Sequence, residues 1–239
     1  MVILGERGFV TVKELGSLLY MSESSIRRDL AELESKGAIK RRYGGAEIIG
    51  ATTSVIPFST RSYDNIPKKQ EIARKAAQLI SAGDVVFLDQ SSTCFFLARE
   101  LMEMKSITIV TNNIEILRLL SDSEMTVIST GGRMNRANRV CLVGAGAERT
   151  FESIYANIAF FSAKSLADDG TVSDITEEEI AVRDSMFKNA ERIVFLCDSS
   201  KMGSHSAYRQ CTLAEVDTMV SDLDTRPEIA KRFPKLEII

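Results

Sequence analysis

Residues 12–48 constrain this 239-residue chain more tightly than any other stretch. Val12, Leu15, Leu18 and Leu19 are spaced to fall on one face of a helix over about 12–20, with Thr11 placed to cap it. After a break at Met21-Ser22, Ser22 can cap a second helix, and Glu23 suits its positive N-terminal dipole. In that helix Ile26, Leu30 and Leu33 make one apolar stripe, while Ser24, Ser25, Arg27 and Arg28 share the opposite face and Lys36-Gly37 closes it. Two amphipathic helices joined by so tight a turn match a helix-turn-helix. Two short β-prone runs follow, flanking Gly44-Gly45, which can supply the positive φ of a tight hairpin. A basic hairpin directly after the second helix reads as a wing.

The net charge is −3, so the chain is not basic overall; its positive charge is local. From Lys36 to Arg42 there are four positive residues and no negative one. An α-helix fits the DNA major groove with its first turns facing base edges. Ser22, Ser24, Ser25, Arg27 and Arg28 can therefore donate to bases or phosphates, and Lys40, Arg41, Arg42 and Tyr43 in the wing are placed for the phosphate backbone. A small solvated helical domain with an ordinary charged face is the bland alternative, and a winged adaptor that binds protein is another.

Hydrophobic residues make up 44% and charged residues 26%, enough apolar material for a sizeable core. The length suits two unequal domains. Met1–Glu6 lacks the pattern of a signal peptide, and the longest apolar runs, Ile158–Phe161 and Ile193–Cys197, are too short for a bilayer and suit buried strands. No membrane association is expected. The four cysteines form no CxxC pair and His205 is the one histidine, so no zinc or other metal site is expected; no cofactor is expected either. Reduced thiols in a cytoplasmic protein are the simpler account.

The first domain is expected over 1–50 and a linker over 51–67, where Thr52, Thr53, Ser54, Pro57, Ser59 and Pro67 interrupt any period. From residue 68 to 239 strands and helices alternate, with strands expected near 85–89, 107–110, 125–129, 158–161, 193–197 and 218–220. That pattern implies a mixed α/β, Rossmann-like domain with a mostly parallel sheet covered on both faces. Ligands bind such sheets beyond the carboxyl ends of the strands. Small, hydroxyl and amide residues recur there: Asp89-Gln-Ser91-Ser92-Thr93, Thr111-Asn112, Gly131-Gly132, Gly144, Ser162-Ala-Lys164, and Asp198-Ser-Ser-Lys201. Helix starts with nearby hydroxyls hold phosphate well, Lys164 and Lys201 can neutralise it, and Asp89 and Asp198 can accept sugar hydroxyls. The bland readings stay open: Asp198 as a turn cap, Lys201 as a surface lysine, Glu179 as a carboxylate at a helix start, Cys94 as an inert thiol.

The run Ser22–Gly37 with Ile26-Arg27-Arg28-Asp29-Leu30 at its heart, followed by Arg41-Arg-Tyr-Gly-Gly-Ala46, resembles the DeoR family of bacterial transcriptional regulators over nearly the whole chain. The resemblance implies an additional helix ahead of Gly8, for which only Met1–Arg7 leave room, so that helix is expected to be short or absent. It implies an effector domain similar in fold to ribose-5-phosphate isomerase, with matching positions at Asp89, Ser92, Thr93, Thr111, Asn112, Gly131, Gly132, Gly144, Lys164, Asp169-Gly170, Glu179, Asp198, Ser199 and Lys201. The family usually has glycine where Ser91 stands.

The function expected is a DNA-binding regulator, a repressor of a carbohydrate-metabolism operon, acting as a homodimer or homotetramer on operator DNA and controlled by a phosphorylated sugar. The alternative is a sugar-phosphate isomerase or deaminase with an accessory N-terminal module. It would need Asp89 or Glu179 as base and an electrophile such as Lys164, and spacing alone identifies no such pair. No enzyme activity is expected.

Overall fold

The computed structural model describes residues 2–7, 9–35, 38–48, 55–223 and 226–239. The chain divides into two compact units, Met1–Asp64 and Asn65–Ile239.

The smaller unit runs α1 (Val2–Arg7), β1 (Phe9–Thr11), α2 (Val12–Leu19), α3 (Glu23–Ser35), β2 (Ile39–Arg42), β3 (Gly45–Ile48) and a single turn, α4 (Phe58–Arg61). Thr11 starts α2 with a full capping box: its hydroxyl accepts the Glu14 N–H, and Glu14 accepts the Thr11 N–H at 2.8 Å. β3 lies between β1 and β2, antiparallel to both, and Gly44 makes the hairpin turn at φ 75°. Leu4, Val10, Val12, Leu15, Ile26, Leu30, Ile39 and Ala46 bury together as one core. A short first helix is thus present, and it contributes Leu4 to that core.

One expectation is corrected. Leu18 and Leu19 do not join the buried stripe of α2; they are 43% and 46% exposed. The chain reverses at Tyr20 directly after them, so the last turn of α2 runs beyond the small core. The helix end expected at Lys36-Gly37 and the linker positions 51–54 lie outside the described residues. Farther along that segment Phe58 and Thr60 of α4 are buried.

The larger unit runs α5 (Ile66–Ala77), β4 (Val85–Leu88), α6 (Ser92–Glu100), β5 (Thr108–Thr111), α7 (Ile114–Leu120), β6 (Thr126–Ser129), β7 (Arg133–Met134), β8 (Leu142–Val143) and α8 (Ala145–Glu152). It continues with β9 (Ile158–Phe161), β10 (Ser165–Leu166), β11 (Thr171–Asp174), α9 (Glu177–Lys188), β12 (Ile193–Cys197), β13 (Tyr208–Thr212), β14 (Thr218–Ser221), α10 (Arg226–Arg232) and β15 (Glu237–Ile238). Seven strands form one parallel sheet in the order β15-β14-β12-β9-β4-β5-β6. Side chains alternate between its faces, as the strand period requires. Val86, Leu88, Ile109, Phe160, Val194 and Leu196 pack with α5, α6 and α7, whereas Phe87, Val110 and Ala159 pack with Ala147, Phe151, Val182 and Met186 of α8 and α9. A second, antiparallel sheet, β10-β11-β13, shares a core with Phe161, Phe195 and Met219. No helix among the described residues is long and apolar enough to cross a membrane.

All seven strands run parallel, but their order turns at one place. From β4 the chain builds outward through β5 and β6, then returns to β9 on β4's other side. That switch point parts the flanking connections, and open parallel sheets bind ligands at such points beyond the carboxyl ends of the strands.

Candidate DNA-reading surface and effector site

In the smaller unit α3 begins one residue after Ser22, whose hydroxyl accepts the Ser25 N–H at 3.3 Å and so caps the helix. Ser22, Ser24, Arg27 and Arg28 are exposed and Ser25 is half-buried. Arg27 pairs with Glu23 one turn back at 3.1 Å with both side chains 55% exposed, a screened pair that DNA phosphate can displace. In the wing Lys40 and Arg41 are exposed, and the Arg41 guanidinium reaches Glu34 of α3 at 3.9 Å.

Arg42 and Tyr43 are held differently. Arg42 is turned inward, bonded to Glu47 at 3.0 Å and to Asp64 at 3.7 Å, with only 17% of its side chain exposed. The Tyr43 ring stacks on Tyr63 at 4.4 Å between centroids, and its N–H donates to Asp64 Oδ1. Arg42 braces the wing through its guanidinium and Tyr43 through its ring and backbone N–H, while Tyr43 stays 58% exposed.

In the larger unit the loops after β4, β5, β6, β9 and β12 meet at the carboxyl edge of the sheet. Asp89 sits at the switch point. Its Oδ1 accepts the Ser91 N–H at 2.9 Å, and its Oδ2 accepts the Ser162 N–H at 3.2 Å and Arg183 Nε at 2.9 Å. Both oxygens are therefore engaged inside the protein. Ser91 caps α6 by accepting the Cys94 N–H, and Ser92 and Thr93 form its buried first turn. On the other flank Lys201 donates to the Ser162 hydroxyl, which donates to the Leu196 carbonyl. Lys201 also lies 3.6 Å from Asp198, whose Oδ1 accepts the Ser200 N–H. Burial raises the Asp198 carboxyl, but Lys201, the Ser200 hydroxyl and Lys69 outweigh it and hold the group below the ordinary carboxylate value. Lys164 is half-buried just beyond β9.

A chain of side-chain amides continues from β4 toward β5. Asn112 Nδ2 donates to the Leu142 carbonyl and to Gln90 Oε1, Gln90 Nε2 donates to Glu179 Oε2, and Asn138 Nδ2 donates to Glu179 Oε1 at 2.9 Å. Each amide's orientation is fixed by the acceptor on its nitrogen. Asn112 Oδ1, Asn138 Oδ1 and Thr93 Oγ1 are then buried without a hydrogen-bond partner among the described residues. Thr111 Oγ1 accepts the Asn113 N–H, and the Thr130 N–H donates to the Thr111 carbonyl. Gly131 and Gly132 both have positive φ, and a Cβ on Gly132 would lie 2.7 Å from the Val143 carbonyl. This glycine allows the loop after β6 to lie against Gly144–Ala147 at the start of α8.

The centre of the network is Arg183 of α9. It bonds Asp89, Asp174 at 2.8 Å and Gln210 at 3.3 Å, and lies 3.9 Å from Glu179. Burial alone would favour its neutral form, but Asp174, Asp89 and Glu179 more than offset this, so its pKa stands above the ordinary arginine value. All four cysteines are free and buried. Burial, with the nearby Asp89 charge, pushes the Cys94 thiol well up, and burial pushes Cys197 and Cys211 to about 12, which disfavours the reactive thiolate.

Sequence reasoning placed Asp89, Ser92, Thr93, Asn112, Glu179, Asp198 and Lys201 in the effector set; the fold joins Asp89, Asn112, Glu179, Asp198 and Lys201 through hydrogen bonds and ion pairs, whereas Ser92 and Thr93 are buried in the first turn of α6. It missed Arg183, Asn138 and Asp174, and it noted Gln90 and Ser162 in their loops without giving them a role. A signal for Arg183 was available: Glu179, Val182, Arg183 and Met186 share one buried stripe of α9.

Two family models match the chain: "DeoR-like helix-turn-helix domain" over residues 2–52 and "DeoR C terminal sensor domain" over 64–223. The chain is similar to the HTH-type transcriptional regulator YgbI of Escherichia coli (strain K12), 32% identical over 231 residues, covering 96% of this chain and 89% of that one. It is also similar to the HTH-type transcriptional repressor GlcR of Bacillus subtilis (strain 168), 31% identical over 220 residues, covering 92% and 84%. Among solved structures, ribose 5-phosphate isomerase A from Methanocaldococcus jannaschii matches at 18% identity with a TM-score of 0.42, over 56% of this chain and 53% of that one. With a sensor-domain match over more than half its length and relatives above 30% identity along nearly all of it, the chain belongs to the DeoR family of transcriptional regulators.

Proposed function

We propose that this regulator is a repressor of a carbohydrate-use operon, released or recruited by a phosphorylated sugar bound at the β4/β9 switch point. The observation that carries the reading is the pairing, in one chain, of an exposed serine- and arginine-lined helix with a buried polar network that has unpartnered acceptors. Ser22, Ser24, Ser25, Arg27 and Arg28 face bases and the nearest phosphates, with Lys40 and Arg41 on the flanking backbone. Leaving a buried polar atom unpaired costs about 1–3 kcal/mol. A polyol that donates hydroxyls to Asn112 Oδ1, Asn138 Oδ1 and Thr93 Oγ1 recovers that cost. Its phosphate is met by the start of α6 with Lys201 and Lys164. Two or four copies place paired readers on a repeated operator, and a ligand that prefers one arrangement shifts the equilibrium between them.

The test is fluorescence anisotropy of the full chain on duplex DNA from upstream of its own coding sequence, at two salt concentrations, with and without pentose and hexose phosphates. Salt-dependent binding that responds to one of these phosphates is expected. Binding indifferent to all of them overturns the effector assignment, and absence of DNA binding overturns the reader. Turnover of any of them would favour an enzyme, although Asp89 makes a poor base with both oxygens already bonded.

A further inference from the structure

We infer that Tyr20 is a DNA-contacting residue of the reader, its ring laid against the sugar-phosphate edge beside the bases that α3 faces. The inference rests on the DNA-reading function proposed above. It begins with the backbone of the turn. The N–H groups of Tyr20 and Met21 both donate to the Gly16 carbonyl, closing α2 and reversing the chain within two residues of Ser22. That closure requires residue 20 to be left-handed, and it is, at φ 54° and ψ 39°. Glycine or asparagine meets this requirement at little cost; tyrosine, with a Cβ pressed toward the following carbonyl, does not. Among the described residues the other non-glycine residue with positive φ is Asn65, a type that tolerates it.

Among the described residues no side-chain packing offsets the strain. The Tyr20 side chain is 97% exposed, so the ring gains no packing from the core. Strain without internal compensation points outward, to a partner. The surface beside it identifies which partner. Tyr20 sits two residues ahead of the cap of α3, whose first turns carry Ser24, Arg27 and Arg28. Any duplex reached by those side chains runs its nearest backbone past the turn. A tyrosine there offers a hydroxyl to a phosphate and a flat apolar ring to a deoxyribose, and the exposed Leu19 and Met21 on either side extend the apolar edge.

The test compares wild type with Tyr20→Gly, Tyr20→Asn and Tyr20→Phe in the full chain, by thermal unfolding and by anisotropy on the upstream duplex. Tyr20→Gly and Tyr20→Asn should unfold at higher temperature yet bind the duplex about five- to tenfold more weakly, the loss of one backbone contact. Tyr20→Phe retains the ring and loses the hydroxyl's share alone. Because tyrosine is uncharged, none of the three should change the salt slope, unlike Arg28→Ala. If Tyr20→Gly binds as tightly as wild type while the joint Arg27→Ala, Arg28→Ala variant is weakened, the inference is overturned and the reader stands. If Tyr20→Gly loses binding only by dissociating protomers, seen by sedimentation, the ring serves a second copy of the chain and the inference is again overturned. Wild type that binds no duplex removes the reader and this contact together.

Discussion

Arg183 of α9 donates through Nε to Oδ2 of Asp89 at 2.9 Å, with the two side chains 2% and 0% exposed. The bond ties a helix on one face of the sheet to the carboxyl end of β4, where the strand order turns. The same guanidinium holds Asp174, so one side chain organises two acidic groups from separate strands. Such a pair is not evidence of exceptional stability, because taking both charges out of water is expensive. It is evidence of a geometry that fails when one member is removed.

Arg183→Met should therefore destabilise the larger unit by about 3–5 kcal/mol, since Asp89, Asp174 and Glu179 remain buried without their cation. Urea unfolding followed by circular dichroism measures this, and a loss below about 1 kcal/mol would contradict the central role assigned to the pair.

Asp198 makes stability depend on acid. Its carboxyl is lowered in the folded protein, so the unfolded chain binds that proton more readily. The contribution is complete above the unfolded carboxylate value, about 4, and is lost as pH falls through the folded value. Asp198→Asn should flatten the acid limb of the stability-against-pH curve below about pH 4. An unchanged limb would mean the pair with Lys201 does not form in solution.

Exposed and inward arginines of the reader should separate cleanly. Arg28 is 83% exposed, and in the proposed reader it meets DNA phosphate or bases, so Arg28→Ala should weaken duplex binding and reduce the slope of log K against log salt by about one. Arg42→Ala instead leaves Glu47 buried without that partner and should lower the unfolding midpoint of the smaller unit. Equal salt slopes for Arg28→Ala and wild type would remove Arg28 from the phosphate-contacting set.

Two adjacent glycines should respond unequally to alanine. At Gly132 a Cβ meets the Val143 carbonyl at 2.7 Å in addition to the positive φ, whereas at Gly131 it meets nothing within 4 Å. Gly131→Ala should cost about 1 kcal/mol for its left-handed backbone, and Gly132→Ala about 2 kcal/mol or more. Thermal melts of the two variants decide; equal losses would show that the loop after β6 moves freely off α8.

Much of the fold is written in local pattern. The apolar runs of β4, β9 and β12 announce buried parallel strands because a strand covered on both faces leaves no polar alternation. Thr11 with Glu14, and Ser22 ahead of Glu23, mark helix starts because capping is settled within a turn of chain. The polar residues after successive strands could be placed at one edge because a parallel sheet carries all its carboxyl ends to the same side.

The sequence by itself therefore determined the two kinds of unit, the basic wing, six of the seven strands of the parallel sheet, and the edge on which the polar loops after them gather. Tertiary structure decided the rest. Residues 171–174, Thr-Val-Ser-Asp, have too little apolar pattern to reveal β11, which forms because β10 and β13 supply partners on either side. Leu18 and Leu19 are apolar and helical in period but exposed, because the turn at Tyr20 carries them past the core. Arg42 faces inward because Asp64, twenty-two positions along, comes back to meet it. Arg183 takes its role from three carboxylates, Asp89 after β4, Asp174 of β11 and Glu179 of its own helix, which only the folded chain brings around it. Propensity, capping and period act over a few residues; burial and charge pairing depend on what distant segments bring, and only the folded chain sets those distances.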